Sequence, residues 1–190
     1  MSFLRRPVVW VVVLVLASFG LYWFQPWKLV ADQKVNETLA VAATPPPSSA
    51  AAAPATTPAP GSAAAAPAAA PGPAVVRQGE FVSHEHETTG QARVVRKADG
   101  SHVLELVGLD TSNGPDLRVL LSDQRLRSGV EGWRVFADGK SVELGRLKGN
   151  QGDQAYPIPA GTDLDGLASV AIWCKRFSVS FGAAGLAPPA

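Results

Sequence analysis

Apolar residues are distributed along the chain in three unlike ways. From Val8 to Phe24 no residue is charged, and Pro7 to Trp27 approaches the ~20 residues that a helix needs to cross ~30 Å of hydrocarbon. Trp23, Phe24 and Trp27 gather at one end of this run, where amphipathic rings favour the headgroup region. Arg5 and Arg6 precede it, so the positive-inside bias leaves residues 1–6 in the cytoplasm and the remainder outside. Residues 7–27 therefore predict a single transmembrane helix that acts as a signal-anchor. A cleaved signal peptide is the rival reading. Against it, the run exceeds a usual h-region of about 7–15 residues, and no A-x-A-like site follows.

The second regime has almost no large apolar side chains. Residues 28–44 are mixed and weakly amphipathic, and are expected to be poorly ordered. From Thr44 to Pro73 the chain is nearly all Ala, Pro, Ser, Thr and Gly, with prolines too frequent for a helix and nothing to build a core. Residues 28–74 as a whole predict an extracytoplasmic, disordered linker. Proline-rich segments extend at ~3.1 Å per residue, so its expected work is reach.

At Val75 the composition changes abruptly, and residues 75–187 are varied, Gly-punctuated and strand-like, with 188–190 left as a tail. Gly79–Glu87, Gln91–Lys97, His102–Leu109, Leu117–Ser122, Trp133–Ala137, Val142–Leu147, Gln154–Ile158, Ser169–Cys174 and Phe177–Phe181 are short extended runs. Turn signals such as "ADG", "SNGPD" and "KGNQGD" separate them. No segment here keeps a 3.6-residue apolar period over three turns. The expected fold is all-β, an antiparallel β-sandwich or barrel-like domain.

In "SVAIWCKRFSVSFG" the phase of the pattern matters. Phe177, Val179 and Phe181 share one strand face and the serines take the other. Continued backwards, that register puts Trp173 with the phenylalanines and Cys174 opposite, with Ile172 and Val170. Either the segment is apolar on both faces near Cys174, or a bulge at Lys175–Arg176 resets the phase.

Charge narrows the partners. A formal net charge of +1, with basic residues scattered among acidic ones, provides no stripe for a phosphate backbone and excludes nucleic acid as a general partner. Cys174 is the only cysteine, so no internal disulfide can form in the oxidising compartment beyond an anchor. Buried, it is an inert small hydrophobe; partly exposed, its thiolate would be favoured by Lys175 and Arg176, which suits redox chemistry or metal ligation.

Other candidates carry less. His84 and His86 stand two apart and would share a strand face, a geometry open to a metal if His102 or Cys174 joined them. The plainer reading is an exposed polar edge with no metal, where His84→Ala would change stability by less than about 0.5 kcal/mol. Asp110, Asn113 and Asp116 resemble oxygen ligands for calcium, but Asn-Gly-Pro is an ordinary turn and the EF-hand spacing is absent. No G-x-S-x-G, Walker A or dinucleotide glycine pattern supports a standard enzyme class.

Taken together, "GEF", "HETTGQARVVR", "ADGSHVLELVGLDTSNGPDLRVLLS", "ELGRLKGNQGDQAYPIP" and "VAIWCKRFSVSFGAAGL" resemble the DM-thirteen, or electron transfer DM, domain family over about Gly79 to Leu186. The resemblance implies a compact β-rich domain whose single cysteine, here Cys174, is the candidate redox thiol. It implies as cofactor either none, the thiol being bare, or a prosthetic group such as haem. His86 falls on the histidine that opens the family's H-x-T-x-G segment and is the second cofactor-binding candidate beside Cys174. Leu120 stands where the family often has an aromatic. The function that follows is a membrane-tethered, extracytoplasmic electron-transfer or thiol-redox module with a redox partner protein at the cell surface, rather than a stand-alone enzyme. The alternative is a non-catalytic binding or adhesion module in which Cys174 is core.

Overall fold

The computed structural model describes residues 5–24, 32–41 and 72–189, with helix side chains from Val9 to Phe19. Helix α1 spans Arg5–Phe24. The strands are β1 (Lys34–Asn36), β2 (Ala74–Ser83), β3 (Thr88–Arg96), β4 (His102–Thr111), β5 (Leu117–Ser122), β6 (Ser141–Arg146), β7 (Gln151–Pro157), β8 (Ser169–Cys174) and β9 (Val179–Gly185).

The domain is mostly β: one nine-stranded sheet, in the order β1-β7-β4-β3-β2-β9-β8-β5-β6, curled into a half-barrel. Long β2 makes the curl, because it pairs with β3 over Ala74–Glu80 and then with β9 over Phe81–Ser83. Every pairing is antiparallel except that of β1 with β7. The two halves close on one apolar core, to which β3 and β4 send Val94, Leu104 and Leu106 and β5, β8 and β9 send Val119, Ile172 and Phe181. A smaller cluster of Leu120, Phe136, Ala171, Trp173 and Ala183 covers the outer face of β5, β8 and β9.

Several expectations are corrected here. Trp133–Ala137 is not a strand: Val130–Gly132 and Val135–Ala137 are 3₁₀ turns whose bonds are local, Gly132 N to Gly129 O and Ala137 N to Arg134 O. Its apolar alternation serves two clusters instead, with Trp133 against the main core and Phe136 in the outer one. Phe177 is exposed in the turn between β8 and β9, and the final strand starts at Val179. Residues 28–74 are not all linker, because 34–36 form β1 on the sheet edge; residues 42–71 lie outside the described residues.

The expected span over 7–27 becomes the helix Arg5–Phe24, and among the described residues no helix is long and apolar enough to cross a membrane.

Candidate functional site

The pairing of β8 fixes the face of Cys174. It stands opposite Leu117 of β5 and Val179 of β9, and residues opposite one another on neighbouring strands share a face. Cys174 therefore points into the main core with Val170 and Ile172, while Ala171 and Trp173 point outward into the second cluster. Of the two ways to reconcile the phase, β8 is apolar on both faces. The Lys175–Arg176 interruption is a hairpin turn in which Ser178 has φ 51°. Val179 and Phe181 therefore lie on the side of Cys174 and not of Trp173, which corrects the register carried through from the sequence. A bulge does occur, but between Ile172 and Trp173 against β9, where Phe181 is the extra residue.

Cys174 is 0% exposed. It is nonetheless the last residue of β8, and the chain reaches the surface at Lys175, whose N–H donates to Asp116 O at 2.9 Å. The turn before β5 lies over this end of the core: Gly114 packs so closely that an added Cβ would sit 2.8 Å from Leu117 and 2.9 Å from Phe181. Around the rim, Arg118 bonds Asp116 and Glu143, each at 2.7 Å, and Lys175 Nζ lies 3.4 Å from Glu143. The Arg118 guanidinium holds the Asp116 carboxyl below the usual range against a smaller opposing effect of burial. Asp116 thus faces Arg118 and Arg146, and Asp110 takes a bond from Gln151 at 3.3 Å. Lys175 is directed at Glu143 rather than at the sulfur.

The histidines part company. His86 lies against Phe181, ring centroids 3.9 Å apart, with Nε2 3.8 Å from Glu85. His84 is buried, which overturns its reading as an exposed edge residue. Its ring stacks on Phe136, Nε2 lies 2.9 Å from Arg127 O and Nδ1 lies 2.9 Å from Ser180 Oγ. A carbonyl can only accept, so Nε2 carries a proton and donates it to Arg127 O, while Ser180 Oγ also donates to Gly182 O at 3.1 Å. Burial pushes the His84 pKa down, partly opposed by the Arg127 carbonyl. His102 opens β4 in a separate groove beside Val76, Arg77, Leu164 and Asp165. Among the described residues no three His, Cys, Asp or Glu side chains are grouped to hold a metal.

Phe181 connects these parts. Its carbonyl accepts from His84 N at 2.9 Å, His86 N at 3.4 Å and Thr88 Oγ1 at 3.2 Å, which ties the β2–β3 connection to the bulge beside Cys174. Thr88 also bonds Thr111 at 2.8 Å and packs on Gly182, where an added Cβ would come within 2.5 Å of it. Gly90 has φ +113° at the shift in β3–β4 pairing, with backbone of residues 107–109 within 2.9 Å of any Cβ. The His-x-Thr-x-Gly pattern over 86–90 thus supplies a ring for Phe181, a buried hydroxyl and a backbone conformation that L side chains rarely adopt.

Cys174 does not fit a haem ligand as it stands, because its sulfur is enclosed by apolar side chains; the His86 ring lies on Phe181 and is half-exposed.

A mostly-β domain with one thiol closed into the end of its core is the class that fold and site define. Residues 80–186, more than half of the chain, match the family model described as electron transfer DM13, and the chain belongs to that family. Its role is accordingly one in electron transfer. No match was found among curated proteins or among solved structures.

Proposed function

We propose that the domain serves electron transfer outside the cell membrane, with Cys174 as its redox group, exposed when the turn over residues 113–116 lifts. The position of Cys174 carries this reading: it is the last residue of β8, and exposed Lys175 directly after it is tied to Asp116 in the turn before β5. The chain has no second cysteine, so its disulfide chemistry must be intermolecular. The Cys174 thiolate attacks the disulfide of a partner protein, one S–S bond forms between the chains, and the partner's other sulfur leaves as thiolate. The partner supplies the oxidant, so the domain works as one member of a relay and not as a self-sufficient enzyme.

Attachment to the membrane is part of the proposal. Trp10, Leu14, Leu16 and Phe19 on α1 are each more than 60% exposed, and a helix apolar on all sides calls for an apolar surrounding. With Arg5 and Arg6 inside, the domain lies outside. Protease added to intact cells should remove the domain; a domain cut only after lysis would reverse the orientation.

The complete burial of Cys174 favours a second reading, a binding or adhesion module in which the thiol is core. Alkylation of the folded protein separates the two. The redox reading expects labelling through local opening, faster than global unfolding. A thiol that reacts only at the rate of global unfolding leaves the binding module.

A further inference from the structure

Residues 32–41 meet the domain as a ligand would. β1 lies parallel on the edge of β7, with Lys34, Val35 and Asn36 opposite Gln151, Gly152 and Asp153. Along the segment Val35, Glu37, Leu39 and Val41 are half-buried and the residues between them are exposed, the alternation of an extended peptide on a surface. Its neighbours read main chain. Buried Asn150 accepts from Gln33 N at 2.7 Å, and Asp153 O accepts from Glu37 N at 2.9 Å. Farther along, Glu105 Oε1 accepts from Ala40 N and Arg93 Nη2 donates to Val41 O.

Two features mark a built groove. Arg93 and Glu105 form a buried ion pair at 2.7 Å on the sheet, and a buried pair is tolerable only when its remaining hydrogen-bonding capacity is met, here by the segment's backbone. The floor is glycine: a Cβ on Gly149 would come within 2.3 Å of Gln33 O, and one on Gly152 within 2.0 Å of Val35 O. One side-chain position is also read, because Glu37 receives Lys148 Nζ at 2.7 Å and Ala155 N at 2.8 Å.

We propose that the β7 edge is a strand-binding groove, that residues 32–41 are its ligand in cis, and that this strap is exchangeable. The groove takes an extended segment with an acidic side chain at the Glu37 position. With the strap bound, the covalent path from α1 to the sheet is residues 25–31; with it released, the path continues through residue 71. This does not depend on Cys174 chemistry.

The test uses the full chain in detergent with a protease site inserted in the Ala/Pro tract between residues 42 and 71. After cleavage the N-terminal piece should stay with the domain on native gel filtration. A synthetic peptide of residues 32–41 in excess should replace it. Glu37→Ala lies on the strap and leaves the domain intact; it should speed release about tenfold, as loss of a charge-assisted bond does. Gly152→Val should abolish retention, with the β-type circular dichroism spectrum checked alongside. Pieces that separate at once in the unmutated protein overturn the groove. Pieces that stay together, resist the peptide and ignore Glu37→Ala overturn exchange and make β1 a fixed strand.

Discussion

His84 holds the outer layer to the sheet. Its two ring nitrogens and its face meet three separate elements, Arg127, Ser180 and Phe136. His84→Ala removes both bonds and the ring stacked on Phe136, although Ser180 Oγ keeps its bond to Gly182 O. We expect a loss of about 2 kcal/mol or more in urea unfolding, well above a surface substitution. The pH dependence has a definite sign. Folding favours neutral His84, so its contribution is whole above the unfolded value near 6.5 and declines as pH falls through the range below it. Unfolding midpoints of the native protein should therefore drop as pH falls below about 6.5, and His84→Gln should flatten that slope. At Cys174 the enclosing side chains are apolar, so serine should destabilise more than alanine: a buried hydroxyl without a partner costs ~1–3 kcal/mol, measured by the same unfolding curves.

Among the elements, the join between β3 and β4 concentrates cost. Arg93 and Glu105 stand directly opposite in the ladder, and each is nearly closed from solvent. Removing either alone, as Arg93→Ala or Glu105→Ala, strands a buried charge and should cost about 3–5 kcal/mol. Replacing both with apolar residues of similar volume should restore much of the loss in a double-mutant cycle, though not the bonds to residues 40 and 41. Thr88 and Gly182 form a second join, where β3 meets β9. Gly182→Ala has no room beside Thr88 without movement of the strands, so it should unfold at lower denaturant than Gly145→Ser, whose Cβ meets nothing but whose φ is +139°.

At the scale of the molecule, the main core is assembled from residues of 76–186, and no member comes from the strap. A chain starting at Gly72 should therefore fold cooperatively with a β-type spectrum, as residues 75–187 lead one to expect. It should be less stable than a chain starting at Asp32 by about 2 kcal/mol or more, because the bonds on Asn150, Glu105 and Arg93 are lost. Equal unfolding midpoints would show that the strap contributes nothing. The same truncation leaves Cys174 unchanged, so its alkylation rate should not move beyond what the altered stability dictates.

The sequence by itself determined the all-β class, the family and the positions of β5 and β8, because short apolar runs bounded by turn residues, and the motifs themselves, are local properties that need no knowledge of partners. It also placed Cys174 beside apolar neighbours at a break in the pattern. Tertiary structure decided the rest. Which side of β8 faces the main core depended on pairing with Leu117 and Val179 across two other strands. His84 looked exposed because its partners, Arg127 and Ser180, lie 43 and 96 positions away. β1 was invisible in a weakly patterned stretch: three residues on a sheet edge have no core face of their own, and what holds them is a glycine floor and an ion pair supplied by strands far along the chain.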